Sequence, residues 1–414
     1  QGALARKVPP PPAGIAKQFE GSKYEMGCGN SNAAGGGETR VASDRRRLSV
    51  SGVEKKGEES GQDASEDDRG LIAALDEKDI TDMCAQGDRK MSIGSTQDNG
   101  KTSFAPKTVK SYGEELDTTA NCLGYTCRKG LKPESPNQDS WFVLKVDDSF
   151  SMYAVFDGHG QKGHDVSNFV KDNLPKLVIK DQRFKTADMP AMLVDCFKKM
   201  QTLVSAADRM KKLSAQMSGT TATLVIHDNN QKKLTVSHVA DSSVVLGKFP
   251  KGEKRDIKAM EAVQLTRDHK PNLKDERARI EKNGGRVVFD GYANHRIYAK
   301  SARYPGLNMS RCLGDLMGHQ DCGITAEPEV KEMQIQPEDH VLLVCSDGVW
   351  EFISPEEAVK LVAEYKPKQA MTAAEKLAKE AWDRWIAEEG GAVVDDITVV
   401  LVYLNQNNQD GNAP

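Results

Sequence analysis

The chain has 414 residues and a formal net charge of −4 at pH 7, with 38% hydrophobic and 29% charged residues. This length allows two or three domains, and the small net charge without a long basic stripe argues against a nucleic-acid-binding protein. No apolar run reaches the roughly 18 residues of a membrane span, and no secretory signal opens the chain. The eight cysteines include no C-x-x-C pair, which predicts packed thiols in a reducing, cytoplasmic compartment.

Residues 1–105 are predicted to form a disordered leader. All four tryptophans lie beyond residue 140, and the leader has only Phe19, Tyr24 and Phe104 as aromatic residues. A segment poor in aromatic residues and rich in Gly, Ser, Pro and charge cannot bury enough apolar surface to fold. Apolar residues between Leu71 and Met83 have helical spacing, and they predict one short amphipathic helix. That helix either docks on the folded domain or on a partner, or stays transient.

Within the leader, residues 26–31 read M-G-C-G-N-S and fit the pattern for N-myristoylation. Gly27 would carry the acyl chain, and the adjacent Cys28 would take palmitate as a second anchor. Two acyl chains hold a protein at a bilayer where one barely does. The pattern applies only where Met26 is the first residue, and the alternative is a Gly-rich linker. Membrane association through Gly27 and Cys28 is therefore a hypothesis.

The folded region is predicted over residues 106–405, followed by a flexible tail over 406–414. It alternates short apolar strands joined by tight turns with segments of helical periodicity. Helices are predicted from His164 to Pro175, from Met189 to Lys212, from Asp275 to Asn283, after the capping box at Ser354, and around Trp382. The predicted strands are Trp141–Val146, Met152–Phe156, Thr223–His227, Lys233–Val239, Val244–Lys248, His340–Cys345 and the central strand Ile397–Leu404.

The pattern changes between about residues 266 and 327. After the predicted helix ends at Gly284 and Gly285, the chain becomes rich in loops and carries Arg303 and Arg311. We interpret this stretch as a lid or flap.

Carboxylates stand at the ends of four strongly apolar strands: Asp139, Asp157, Asp347 and Asp395. Asp139 precedes one strand and Asp157 ends its neighbour, so an antiparallel pair brings them to the same sheet edge. Four ionised carboxylates at one edge would repel one another unless cations neutralise them. All-oxygen ligands favour Mg²⁺ or Mn²⁺, and no Cys/His cluster at zinc spacing competes.

A pair of such cations can share a hydroxide nucleophile and bind a phosphoryl group. His159 lies two residues after Asp157, where it can donate a proton to the leaving group. The alternative for His159 is a structural hydrogen bond.

Six motifs follow one another along the chain: D-G-H-G, S-G-T-T-A, L-T-R-D-H-K-P, S-R-C-L-G-D, C-S-D-G-V-W-E and D-D-I-T-V-V. In order and rough spacing they resemble the protein phosphatase 2C family, the metal-dependent Ser/Thr phosphatases, over about residues 118–405. The resemblance implies an α+β fold, an α-β-β-α sandwich of two antiparallel sheets flanked by helices, with a flap beside the site. It also implies a monomeric catalytic domain that acts on phosphoproteins.

The resemblance further implies residue roles around two Mg²⁺ or Mn²⁺ ions and a weaker third. The implied ligands are Asp157 bridging both ions, the Gly158 carbonyl on one of them, Asp347 and Asp395 completing the second site, Asp139 joining largely through water, and Asp241, which with Asp347 holds the third ion. His159 would be the general acid.

Two positions depart from the family pattern. Gln138 replaces a common Glu, although an amide can still bond a metal-bound water. The phosphate-binding Arg of the family falls on Glu134, which cannot bind phosphate. Its substitutes are Lys132 or Lys129 nearby, or Arg303 or Arg311 from the flap, and we favour Lys132 and Arg311. Lys is a poorer bidentate ligand than Arg, so an inactive phosphatase-fold scaffold is the alternative function.

Overall fold

A computed structural model of the chain describes residues 64–84, 87–97, 100–132, 135–147, 149–252 and 256–405. Gly27, Cys28, Glu134 and the predicted tail over 406–414 lie outside the described residues. In the described part, seven cysteines are buried free thiols, as predicted. None of its helices combines the length and the apolar character that a membrane crossing requires.

The described residues form the following elements. The helices are α1 (Glu66–Asp76), α2 (Gly163–Lys180), α3 (Met189–Arg209), α4 (Lys274–Lys282), α5 (Leu316–Asp321), α6 (Asp347–Trp350), α7 (Pro355–Ala363) and α8 (Ala370–Glu388). The strands are β1 (Lys90–Ser95), β2 (Val109–Gly113), β3 (Leu123–Arg128), β4 (Ser140–Val146), β5 (Phe150–Phe156), β6 (Gly158–His159), β7 (Gly219–Thr220), β8 (Ala222–Asp228), β9 (Lys233–Val239), β10 (Ser243–Lys248), β11 (Glu261–Gln264), β12 (Gly285–Phe289), β13 (His295–Ala299), β14 (Pro305–Leu307), β15 (Leu313–Gly314), β16 (Glu329–Gln334), β17 (Asp339–Cys345) and β18 (Ile397–Tyr403).

Two antiparallel sheets pack face to face, with strand orders β16-β9-β8-β5-β4-β1-β2 and β11-β10-β17-β18-β3. Side chains alternate between the faces of each strand, so Trp141 and Val143 of β4 meet Val344 of β17 between the sheets. The neighbouring Phe142 and Leu144 point outward and pack against α2 and α3. Helices α7 and α8 cover the outer face of the second sheet. The predicted α-β-β-α sandwich is confirmed.

The central position predicted for the last strand is also correct. Strand β18 lies between β17 and β3, and every one of its residues is buried. A strand buried on both faces needs a continuous apolar run, which the sequence I-T-V-V-L-V-Y supplies.

The predicted boundary of the leader at residue 105 is wrong. Helix α1 buries Ile72 and Leu75 in the core that α2 and α3 share with the first sheet, so the docked alternative for this helix holds. Strand β1 lies inside the first sheet, between β2 and β4. Its sequence K-M-S-I-G-S has little apolar character, and pairing with β4 rather than propensity makes it a strand.

Two further boundaries differ. Helix α2 continues through Pro175 to Lys180, because Leu174, Leu177 and Val178 are buried in the same core and packing outweighs the local preference of proline. The predicted helix of the flap is present as α4, but the chain after it, predicted to be rich in loops, contains α5 and a small three-stranded sheet of β12, β13 and β14.

Candidate metal and phosphate site

Five strand ends bring the predicted metal ligands to one edge of the sandwich. Ser140 pairs with Phe156, so Asp139 and Asp157 stand next to each other at the ends of β4 and β5. In the second sheet β17 ends at Cys345 and β18 begins at Ile397, which places Asp347 and Asp395 at neighbouring ends. The pairing of Ser243 in β10 with Cys345 brings Asp241 to the same edge.

Asp139 joins the two sheets. It is fully buried, and its Oδ2 accepts hydrogen bonds from Thr398 Oγ1 of β18 at 2.7 Å and from Ser346 Oγ, directly after β17, at 2.8 Å. Its Oδ1 is buried without a hydrogen-bond partner. Burial, with the charges of Asp396 and Asp347, raises the pKa of Asp139 to about 6. A carboxylate so placed is stabilised by a cation.

The carboxylates of this edge interact. Burial raises the pKa of Asp157 well above its ordinary value, and the charges of Asp139, Asp347 and Asp241 raise it further, while Lys132 opposes them. Asp241 Oδ1 is buried without a hydrogen-bond partner, like Asp139 Oδ1. Mutually repelling, partly unsatisfied oxygens fit hard divalent cations, which take all-oxygen ligands and keep several waters.

Two lysines lie against this edge. Lys132 Nζ forms an ion pair with Asp395 Oδ1, so this predicted phosphate-binding residue lies at the aspartate edge. Lys270, which sequence analysis did not single out, contacts Asp241 Oδ2 at 2.5 Å. Asp268, two residues earlier in the D-H-K-P motif, has its pKa raised by burial and then by the charge of Asp241. The motif was the signal that could have identified both residues.

The turn that carries Gly158 leaves no space for a side chain. A Cβ at Gly158 would lie 2.5 Å from Gly163 O and 2.6 Å from Gln138 O. The Gln138 side chain donates from Nε2 to Gly160 O at 2.7 Å, so its amide holds this turn. That contact gives a structural role to the residue that replaces the common Glu.

His159 Nε2 lies 2.5 Å from Asp315 Oδ2. Although burial lowers the pKa of His159, the charge and hydrogen bond of Asp315 outweigh it, and the pKa is raised. The other ring nitrogen, Nδ1, is buried without a hydrogen-bond partner. Sequence analysis gave Asp315 no role, although it ends the S-R-C-L-G-D motif.

Two glycines make room for this pair. A Cβ at Gly219, in the S-G-T-T-A motif, would lie 2.1 Å from Asp315 Oδ2 and 2.8 Å from His159 Nε2. Gly314 has φ +91°, and Asp315 itself adopts a left-handed conformation with φ 44°. Backbone strain of this kind persists where surrounding contacts over-determine it.

The guanidinium of Arg311, which was predicted to bind phosphate, is occupied by partners within the flap. Its Nε donates to Glu276 Oε1 at 3.0 Å and its Nη1 to Glu327 O at 3.0 Å, while Nη2 also contacts Glu276. Its side chain is 12% exposed, and Glu276 is 1% exposed. Arg311 therefore anchors the flap. Lys129 is likewise buried, and its Nζ donates to Lys132 O at 2.8 Å. Arg303 is exposed.

Asp396 is a further residue to which the sequence assigned no role. Its Oδ1 accepts from Gly130 N and its Oδ2 from Gln138 N, both at 2.7 Å. It therefore fixes the loop before β4 against the start of β18. Because Asp395 and Asp396 are adjacent and identical, the sequence does not show which of them is a metal ligand and which holds the loop.

Two compact triads of potential metal-binding side chains occur among the described residues: His159, Cys312 and Asp315, which include the pair described above, and His238, His269 and Glu329. Burial raises the pKa of the Cys312 thiol far above its ordinary value, which disfavours a thiolate ligand. His269 Nδ1 accepts from Ala240 N at 3.0 Å, so Nε2 carries the proton and offers no lone pair. Neither triad competes with the aspartate edge.

A two-sheet sandwich with an acidic, all-oxygen edge and an adjoining histidine defines a metal-dependent phosphohydrolase. The family model of protein phosphatase 2C matches residues 130–389. The chain is 31% identical to a probable protein phosphatase 2C 48 of Oryza sativa subsp. japonica over 77% of this chain and 96% of that protein. It is 33% identical to a probable protein phosphatase 2C 61 of Arabidopsis thaliana over 62% of this chain and 77% of that protein.

Solved structures share the fold. The serine-threonine phosphatase 2C of Toxoplasma gondii superposes with a TM-score of 0.58 at 19% identity, covering 68% of this chain and 94% of that one. The chain belongs to the protein phosphatase 2C family and is a metal-dependent protein Ser/Thr phosphatase. The functional class predicted from the motifs is confirmed.

Proposed function

We propose that the protein hydrolyses phosphoserine and phosphothreonine in phosphoproteins with Mg²⁺ or Mn²⁺ at the aspartate edge, as a monomer and without a covalent enzyme intermediate. The observation that carries this proposal is the pair of buried carboxylate oxygens without hydrogen-bond partners, Asp139 Oδ1 and Asp241 Oδ1. Their all-oxygen surroundings suit these two hard cations.

Different residues would bind the different cations. Asp157, Asp347, Asp395 and the Gly158 carbonyl would hold two ions, with Asp139 joining through water and Asp241 contributing to a weaker third site. When bound, such ions lower the pKa of water and neutralise charge on phosphoryl oxygens. Water then attacks phosphorus opposite the leaving serine or threonine oxygen.

His159 supplies the proton that the leaving oxygen needs. Asp315 holds its Nε2, and Nδ1 makes no hydrogen bond within the described protein, so Nδ1 is the nitrogen left to face the substrate. A positioned general acid contributes about 10² to 10⁴ in rate.

Lys132 binds the phosphoryl group. Its side chain is 26% exposed and reaches the aspartate edge at Asp395, so it can contact substrate phosphate and metal ligand together. A lysine binds phosphate as a point charge and lacks the bidentate geometry of arginine. Lys132 thus supplies the positive charge that Glu134 cannot.

Hydrolysis of a phosphothreonine peptide tests the proposal. The wild-type protein is assayed with Mg²⁺, with Mn²⁺ and with a chelator, beside an Asp157→Ala variant of the same chain. Metal-dependent turnover that the variant loses is the expected result. Equal, negligible rates in both proteins would instead support the scaffold alternative.

We propose that the protein is cytoplasmic. We further propose that Gly27 and Cys28 are acylated in any form of the protein whose mature N-terminus is Gly27. The support is the sequence M-G-C-G-N-S. Labelling of cells with a myristate analogue, with a Gly27→Ala control, tests it. A protein that retains residues 1–25 and takes no label contradicts it.

A further inference from the structure

A cavity of about 380 Å³ lies between the two sheets, at the end of the sandwich away from the aspartate edge. The metal-binding edge is formed by the beginning of β4 and the end of β5, whereas Lys145 near the end of β4 and Ser151 near the beginning of β5 line the cavity. A volume of this size is within the range of small-molecule sites. The cavity is therefore separate from the catalytic site.

One wall of the cavity is an unusual polar row. Lys145 pairs with Ser151, and Ser151 pairs with His227, so the three side chains lie side by side across β4, β5 and β8. Two residues further along the same strands, Val143 and Tyr153 lie in the core between the sheets. Strand alternation puts Lys145, Ser151 and His227 on this inner face, where an apolar residue would fill space better.

One nitrogen of the polar row has no hydrogen-bond partner. His227 Nδ1 is buried without a hydrogen-bond partner, and Ser151 is only 4% exposed. Burial, then the charge of Lys145, lowers the pKa of His227 to about 4, so its ring is neutral at pH 7 and can donate one hydrogen bond. Buried polar atoms without partners are costly in a folded protein, and a ligand can satisfy them.

The charge of the cavity is positive. Lys145 and Lys232 line it, and no described residue among its walls is acidic. Lys145 Nζ also forms a long ion pair with Asp147 Oδ1, at 3.6 Å, but this carboxylate is outside the lining and is partly exposed to solvent. The opposite wall is apolar, with Val402 and Leu404 of the second sheet. A basic head region and an apolar wall suit an anion that carries a hydrocarbon or aromatic body.

We propose that this cavity binds a small organic anion, with a carboxylate or sulfonate head at Lys145 and His227 and an apolar body against the second sheet.

The probe is 8-anilinonaphthalene-1-sulfonate, an organic anion that fluoresces in an apolar site, titrated into the full chain. We expect saturable binding, displaced by octanoate but not by the uncharged 1-octanol at equal concentration. Lys145→Met, which keeps side-chain length and removes the charge, should weaken binding tenfold or more, because a charge-assisted hydrogen bond is lost. Lys145→Arg keeps the charge and should bind within threefold of wild type.

Two controls test whether each variant is folded and whether the probe binds in the cavity rather than at the aspartate edge. Phosphatase activity and the melting temperature of each Lys145 variant report whether it is folded, and Asp157→Ala, altered at the other end of the sandwich, should bind the probe as wild type does. Unchanged affinity in folded Lys145→Met overturns the proposal. So does loss of binding in Asp157→Ala, or displacement by 1-octanol as effective as that by octanoate.

Discussion

At the scale of single residues, Asp139 combines a structural and a chemical role. Oδ2 is held by the hydroxyl groups of Ser346 and Thr398, while Oδ1 has no hydrogen-bond partner. The buried amine of Lys107 donates to the main-chain oxygens of Asn137, at 3.2 Å, and of Asp139. These contacts fix the orientation of the carboxylate before any cation binds, and preorganised ligands of this kind bind without the cost of ordering.

The contact between Asp315 and His159 predicts a positioning role. Asp315→Asn should lower kcat on a phosphothreonine peptide about 10- to 100-fold with little change in KM, because His159 loses the partner that orients its ring. Steady-state kinetics measure this. With p-nitrophenyl phosphate, whose leaving group needs no proton, the loss should be several times smaller. A purely structural role for Asp315 would give equal losses on both substrates.

The adjacent Asp395 and Asp396 should respond differently to substitution. Asp396→Ala leaves the buried amides of Gly130 and Gln138 without acceptors, and each such loss costs about 1–3 kcal/mol. Urea unfolding should therefore show a clear loss of stability. Asp395→Ala removes a proposed ligand and should lower metal-dependent activity, with a smaller effect on metal-free unfolding. Equal loss of stability in the two variants would contradict this division of roles.

At the scale of elements, one buried carboxylate connects helix α4 of the flap to the segment around Arg311. Glu276 of α4 accepts hydrogen bonds from Arg311 and from Ser310, and its Oε2 lies 2.7 Å from Arg279 Nη2. Burial raises the pKa of Glu276, but these partners outweigh burial and leave it well below its ordinary value. The helix is therefore tied to the strand region that carries Asp315.

This ion pair predicts a pH dependence. A carboxyl whose pKa is depressed on folding contributes stability above its unfolded pKa of about 4.3, and the contribution is lost as pH falls below that value. Wild type should therefore lose stability in urea between pH 6 and pH 3. Glu276→Gln removes the buried charge that the partly buried Arg279 and Arg311 share, so it should lower the free energy of unfolding at pH 7 by about 3 kcal/mol and flatten the acid side of the profile. An unchanged profile in the variant would contradict the assignment.

In the segment before residue 105, one element could be predicted from the sequence and another could not. Helix α1 was predicted from the spacing of Leu71, Ile72 and Leu75, because an apolar stripe is visible in a sequence. Strand β1 was missed, because a mixed sequence becomes a strand here only by lying between β2 and β4. The partners that decide such a strand are distant in the sequence.

At the scale of the whole molecule, metal and fold should stabilise each other. The aspartate edge brings repelling charges from both sheets together, so cations that bind only the folded state raise its stability, by about 2.7 kcal/mol at a concentration 100 times Kd. Mg²⁺ or Mn²⁺ should raise the melting temperature of chelator-treated protein. Asp157→Asn should melt higher than wild type without metal, and gain little from added metal.

Differential scanning calorimetry over a metal titration measures both effects. Lys251→Ala, an exposed substitution beyond the end of β10 opposite Asp241, serves as the control and should gain stability from metal as wild type does. A melting temperature that is independent of metal would contradict the metal site.

The sequence by itself determined the central strand and the strand-end aspartates, because apolar runs and the residues that end them are local properties of the chain. The sandwich followed from the order of the motifs, through their resemblance to a known family. The tertiary structure decided which polar groups meet: Asp315 with His159, Arg311 with Glu276, Asp396 with the loop before β4, and the three members of the polar row at the far end of the sandwich. Such pairings depend on strand register and on burial, and these cannot be predicted from the residues adjacent in the sequence. For that reason Arg311, a plausible phosphate ligand on charge alone, proved to be a structural residue.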